Sequence, residues 1–346
     1  MAKRRADRGT GSGGTRRAKA ARSVARFPSG SSVRLVPASP EVAYARAELA
    51  FEKYAEPLRG LPGVLSVDIG LRYVGRRATG EFAVRVHVAR KLPEAELPEP
   101  RVPRQLDGVP VDVIARRFHA GRAVAERSTV VAGGSIAPHH RPSMYGTMGL
   151  ALLDGLDPAR ERWITCAHVV TGDRPTGDLA RERLPVVDSG QAVVARSLVD
   201  RWAADERLDA AVLEPESTAA SGFAAGMPRP KRIGALTRQD VIDRVALLKY
   251  GASTGLSVGE ADSVQSLPIP IHMPDGSVLW VRGQVQIRAT DGRAEFAAPG
   301  DSGAAVLRAG PRGEYEWVAV LRAVDDQGFG IACHADRVAA RLGVVL

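Results

Sequence analysis

Cysteine is scarce, with two in 346 residues, which excludes a small secreted scaffold built on disulfides. Long apolar runs are missing too. Uncharged stretches such as Pro142–Leu153 and Ser217–Pro228 hold 12 residues each, against roughly 18 or more for a membrane-spanning helix. No internal repeat, collagen period or heptad pattern runs through the chain. Twin arginines occur at Arg4-Arg5 and Arg16-Arg17, but Lys19, Arg22 and Arg26 stand where an export signal needs apolar residues. These absences predict a cytoplasmic protein with reduced thiols and no membrane span. Aromatics are few, at 5%, yet 45% of residues are apolar and 25% charged, an ordinary globular composition.

A charge excess is missing from most of the chain. The net charge of +9 is carried by residues 1–35, which contain ten basic residues and one acid, Asp7. The other residues balance, with 38 of each sign. The pI near 10 therefore describes a tail. Rich in Gly, Ser, Arg and Ala, residues 1–35 read as a disordered basic tail. Such an arm is solvated, or it binds nucleic acid or an acidic partner through counterion release.

What is present falls into two parts. Residues 36–120 read as a small α+β domain. Ser39-Pro40-Glu41 is a helix start, with an N-cap, a proline at the first position and an acid at the positive end. Leu49, Phe51, Tyr54 and Leu58 follow on a helical period, and Gly60 and Pro62-Gly63 end it. Val64–Val74 and Glu81–Val88 alternate as strands. In the second, Phe82, Val84 and Val86 share one face, and Arg85 and His87 fall on the other, which predicts an exposed His87. Val109–Ile114 is a further strand.

Residues 121–346 read as an all-β domain. About ten short strands are expected, including Tyr145–Leu153, Arg162–Cys166, Asp209–Leu213, Val278–Ile287, Gly303–Leu307 and Glu316–Arg322. One helix, Asp336–Leu342, closes the chain. Many short strands separated by turn residues argue for a barrel or sandwich.

Three stretches carry chemistry. Pro299-Gly300-Asp301-Ser302-Gly303 places a serine on a glycine-bounded turn before an apolar run. There the N–H groups of Gly300 and Ser302 can converge on an oxyanion. Taken alone, the same residues also fit a plain hairpin turn. Trp163–Val170 is a strand with His168 at its exit, and Asp209 opens the apolar run Asp209–Leu213. The order is His, Asp, Ser, with separations of 41 and 93 residues.

Thr165-Cys166-Ala167-His168, Asp209-Ala210-Ala211-Val212-Leu213 and Gly300-Asp301-Ser302-Gly303 resemble the three motifs of trypsin-like serine peptidases, whose triad has the same order and roughly the same gaps. Gly133-Gly134-Ser135 with Tyr145–Gly149, and Lys249-Tyr250-Gly251 with Thr254-Gly255-Leu256, resemble the bacterial and plant branch that includes the narrow-leaf peptidase family. Residues 63–112 are similar to that branch's amino-terminal domain. The resemblance implies two six-stranded antiparallel β-barrels of the chymotrypsin type with the active site between them. It implies a serine endopeptidase acting on protein or peptide substrates, with His168, Asp209 and Ser302 catalytic and no cofactor or metal.

Departures from the pattern define further expectations. Ala304 stands where a second glycine is frequent. Asp301 in relatives activated by cleavage pairs with a freed amino terminus, and Arg127 before Val130–Gly134 allows such a cut. An internal arginine or backbone donors holding Asp301 would make it unnecessary. Substrate-pocket walls are expected from Phe296, Arg322, Ala323 and Val324. Cys166 and Cys333 read as buried core residues, with a bridge between them as the alternative. His139-His140 reads as loop, since no partner has metal-ligand spacing. The alternative to an enzyme is a catalytically dormant trypsin-fold binding module, recruited to nucleic acid or an acidic partner by the tail.

Overall fold

The computed structural model describes residues 38–75, 77–120, 130–172, 182–216, 222–273, 276–290, 295–310 and 312–346. The predicted tail, 1–35, and Arg127 lie outside the described residues.

The chain starts with a helix, Pro40–Arg59, in which the Ser39 side chain accepts the Val42 N–H and Gly60 forms the C-cap. Its buried stripe is Tyr44, Ala47, Phe51, Tyr54 and Leu58, spaced three and four residues apart as one helical face requires. Leu49 was expected on that stripe, but it falls off the spacing and is 67% exposed.

The helix covers a four-stranded sheet. Val64–Val74 pairs antiparallel with Arg77–Val88, which runs parallel to Val109–Ala115. The apolar face, with Val67, Ile69, Phe82, Val84 and Val86, belongs to the cluster that contains the helix stripe. The polar face is buried as well, which corrects the sequence reading. Arg85 is 0% and His87 1% exposed, because this face meets the second barrel instead of water. Arg85 clamps Asp68 through Nε (2.7 Å) and Nη2 (2.8 Å) and reaches Asp262 through Nη1 at 2.6 Å. Gly70 makes room for it, since a Cβ there would lie 2.2 Å from the Arg85 guanidinium carbon. Ser66 donates to the Leu267 carbonyl, and Leu267 N–H to Val67.

The first barrel is an eight-stranded curled sheet. The expected strand Tyr145–Leu153 is interrupted at Met148-Gly149. Its first piece, Gly146–Thr147, pairs with Ser135–Pro138, and its second, Leu150–Asp154, with Glu161–Thr165. The sheet path starts on Val344–Val345, passes next to Leu150–Asp154 and ends on Gly146–Thr147, so the two pieces of one bent stretch lie near its opposite ends. Trp163, Ile164, Leu150, Leu152, Ala211 and Val212 fill its interior.

The second barrel closes through strand pairing. Ala246–Gly251, Gly255–Ser263, Val285–Ala289, Gly330–His334, Tyr315–Asp325 and Ala305–Ala309 pair antiparallel in that order, and the last pairs with the first. The expected strand Val278–Ile287 is two strands, Val278–Val281 and Val285–Ala289, separated at Gly283 (φ 60°). The curled first sheet and the closed second barrel, with the serine turn carried by the second, constitute the chymotrypsin-type architecture, and the α+β unit precedes it. The carboxyl-terminal helix Ala335–Leu342 leads into Val344–Val345, which returns to Leu153-Asp154 of the first barrel. Among the described residues, no helix is long and apolar enough to cross a membrane.

Candidate active site

Strand register brings His168 to Asp209. Ala211 lies opposite Thr165 in the first barrel, so extending the antiparallel ladder carries Asp209 to the chain just beyond Thr165. That chain is a one-turn helix, Ala167–Thr171, with His168 in its first turn. Asp209 gives both oxygens to this residue. Oδ2 lies 2.6 Å from His168 Nδ1, and Oδ1 accepts the His168 backbone N–H at 3.1 Å. A carboxylate on Nδ1 holds the proton there and leaves Nε2 as the basic nitrogen. His168 Nε2 is buried and has no hydrogen-bond partner among the described residues.

Burial alone would push the Asp209 carboxyl up. The charge and hydrogen bond of His168 and the charge of Arg322 outweigh it, holding Asp209 well below the usual carboxylate range. Arg322 Nε sits 3.8 Å from Asp209 Oδ2. Its Nη2 donates to the Asp205 carbonyl at 3.3 Å.

The serine turn is shaped by its neighbours. Gly300 has φ +97° and Gly303 φ +96°, and a Cβ on Gly303 would meet the Thr147 carbonyl at 2.2 Å. Side chains are thus excluded twice, by conformation and by space. Thr147 N–H donates to the Ser302 carbonyl at 2.7 Å and Thr147 Oγ1 to that of Gly300 at 2.9 Å. Gly303 also packs against Thr165 and Cys166, two residues from His168.

Asp301 locks the turn from below. It is fully buried and accepts from the N–H groups of Ser253 (3.0 Å), Thr254 (3.2 Å) and Ala298 (3.0 Å). Thr254 Oγ1 donates at 2.8 Å, and Lys249 Nζ lies 2.9 Å away. The expected holders were an internal arginine or backbone donors. The structure uses backbone donors together with a lysine, whose pKa burial pushes down against the pull of Asp301. Asp301 N–H donates to Ala298 and Gly303 N–H to Leu321. The N–H groups of Gly300 and Ser302 are committed to no acceptor among the described residues.

Ser302 itself is 1% exposed, and its Oγ donates to the Arg322 carbonyl at 3.2 Å instead of to His168. Of the sequence-predicted residues, His168 and Asp209 are hydrogen-bonded to each other. Ser302 is bonded to the backbone of Arg322, whose side chain lies beside Asp209. Phe296 is buried in the second barrel next to Gly259 and Gly330, with Lys249 Nζ 5.6 Å from its ring centroid. Ala323 and Val324 are buried on the strand that carries Arg322. Lys249, Thr147 and Thr254 were given no role from sequence. The available signal was a lysine at an inward position of an otherwise apolar strand.

Cys166 and Cys333 are free and buried. Burial pushes both thiols up, Cys166 well above its ordinary value. Cys166 Sγ, a His168 ring nitrogen and an Asp209 oxygen lie within 4.8 Å of one another. A metal would have to compete with the His168–Asp209 bond and deprotonate a buried thiol.

No protein-family model and no curated protein matches the chain. Solved structures do. A glutamic-acid-specific serine protease that uses a histidine triad in substrate binding is 15% identical, covers 63% of this chain and all of its own, and has a TM-score of 0.44. Thermobifida fusca protease A is 13% identical over 63% of this chain and 98% of its own, with a TM-score of 0.43. Cellulomonas bogoriensis chymotrypsin is 15% identical over the same shares, with a TM-score of 0.41. All three lie below a TM-score of 0.5, and the fold assignment stands on the strand pairing described above.

Proposed function

We propose that the protein is a serine endopeptidase that hydrolyses peptide bonds through an acyl-enzyme. The observation that carries this reading is the His168–Asp209 pair, whose bonded Nδ1 leaves Nε2 buried and without a partner among the described residues. In the first step the Ser302 hydroxyl leaves the Arg322 carbonyl for His168 Nε2. As Oγ bonds to the peptide carbonyl carbon, its proton passes to Nε2. The carbonyl oxygen takes the negative charge and meets the uncommitted N–H groups of Gly300 and Ser302. Collapse breaks the C–N bond, and His168 returns the proton to the leaving amine. Water then attacks the acyl carbon as its proton passes to the same nitrogen, the bond between that carbon and Ser302 Oγ breaks, and His168 returns the proton to Oγ. Asp209 stays ionised throughout and balances the transient imidazolium. The strand through Arg322, Ala323 and Val324, with Phe296, is the assigned wall of the substrate pocket.

Labelling by a small fluorophosphonate tests this, because the probe needs only an activated serine and an oxyanion hole. The wild type is expected to label, and Ser302→Ala and His168→Ala are not. Equal labelling of Ser302→Ala would refute the assignment.

A further inference from the structure

The strand Tyr315–Asp325 passes directly beneath Ser302, and its hydrogen-bonding edges can be followed rung by rung. Along one edge it pairs with Ala305–Ala309 as far as Val320. Next, Leu321 exchanges backbone hydrogen bonds with Gly303 and Ala304, and the Arg322 carbonyl receives Ser302 Oγ. The three rungs beyond the serine belong to another part of the chain, with Ala323 opposite Ala120, Val324 opposite His119 and Asp325 opposite Phe118. The opposite edge of Ala323 and Val324 is filled by Ile331 and Gly330. A strand has two edges, and here both are taken.

The direction of the visiting segment matters. It is antiparallel, so Phe118→Ala120 runs toward Ser302. An extended peptide that adds to a sheet edge with its scissile carbonyl at Ser302 must do the same, because the acyl half of a substrate reaches the nucleophile by its carboxyl end. Strand addition of this kind is a general mode of peptide binding. The segment is firmly seated. Phe118 is 1% exposed among Ile269, Ile271, Val281, Ala323 and Ile331. Arg117 and Asp326 are joined through backbone and side chain, and Gln327 Nε2 donates to the Ala115 carbonyl at 2.8 Å.

We propose that Phe118–Ala120 is an internal pseudosubstrate strand. It occupies the sheet edge on which the acyl half of a polypeptide substrate adds, and it restrains Ser302 from extended chains while leaving it open to small acylating agents. The proposal rests on Ser302 as the nucleophile. It makes the α+β unit, whose last strand leads into Phe118, a regulator of access to the cleft.

The test uses the full-length protein, a small fluorophosphonate, a tetrapeptidyl phosphonate and a mixture of tetrapeptide amides. Phe118→Ala removes the anchor, and His119→Pro breaks the ladder at an exposed position without removing core. In either variant the KM for tetrapeptide amides is expected to fall about tenfold or more, with the fluorophosphonate labelling rate unchanged. In the wild type, attachment of the tetrapeptidyl phosphonate is expected to raise hydrogen exchange at residues 118–120. Tetrapeptide KM unchanged in both variants with labelling intact would overturn the proposal. So would continued protection of 118–120 while the tetrapeptidyl group is attached, a readout independent of whether the variants fold. If the small probe fails on the wild type, the nucleophile assignment itself falls and takes this inference with it.

Discussion

Asp68 and Asp209 are both buried carboxylates, each held by a partner from another strand or helix, and they end in opposite conditions. Asp68 is saturated. Arg85 takes both its oxygens at 2.7 and 2.8 Å, Gln286 donates to one of them, and His87 Nε2 lies 3.0 Å away. Arg85 in turn spends its remaining nitrogen on Asp262. Asp209 gives both oxygens to a single residue, and that residue keeps an open nitrogen. Both carboxyls lie far below the usual range, because neighbouring positive charge outweighs burial. A depressed pKa therefore does not separate glue from chemistry. An open nitrogen does not separate them either, since His87 Nδ1 beside Asp68 is also buried with no hydrogen-bond partner among the described residues. The difference is that Asp209 gives both oxygens to one histidine, whereas Asp68 divides its oxygens among Arg85, Gln286 and His87.

Breaking each cluster should have different consequences. Asp209→Asn is expected to lower the turnover of a small ester on the order of 10⁴-fold, because the amide favours the wrong imidazole tautomer; steady-state kinetics would read this directly. A loss of less than tenfold would mean that Asp209 does not orient His168. Arg85→Leu leaves two buried acids without their counter-charge and is expected to cost about 3–5 kcal/mol in urea unfolding. Labelling per folded molecule should stay within about twofold. Lost labelling in a still-folded variant would show that the two clusters are not independent.

Asp325 is the intermediate case and the smallest expected effect. Burial pushes its carboxyl up to about 6, against the nearby charge of Arg116 and the N–H groups of Phe329 and Gln327. Its folded pKa lies above the unfolded value of about 3.9. The folded state then binds the extra proton, so stability is greatest below pH 4 and declines as pH rises through 6. The decline attributable to this group is up to about 3 kcal/mol. Measured as the difference from Asp325→Asn across pH 4 to 7, the slope should be present in the wild type only. A flat difference would place Asp325 with Asp68 as a fully satisfied acid.

The sequence was most readable where chemistry is local. Ser39-Pro40-Glu41 and Gly60 mark the ends of a helix that runs from Pro40 to Arg59. Glycines flank Ser302 because the turn has positive φ at Gly300 and Gly303. Reading was poorest where a face met something distant. Arg85 and His87 look like solvent residues on an alternating strand, and nothing within twenty residues announces that Asp262 and Gln286 will cover them. Lys249 likewise looked like part of a motif, not like the cation under Asp301.

By itself, the sequence determined a helix-and-strand unit followed by an all-β part, because periodicity, turn chemistry and residue type are local properties of the chain. The two-barrel expectation and the proposed reactive side chains came from the resemblance of three motifs to a known family. Tertiary structure alone decided which buried charges are saturated and that Ser302 Oγ rests on the Arg322 carbonyl. It also decided that Phe118–Ala120 fills the edge beside the serine. Each of these depends on which of many available partners a hydrogen-bonding group meets, and only long-range register settles that choice.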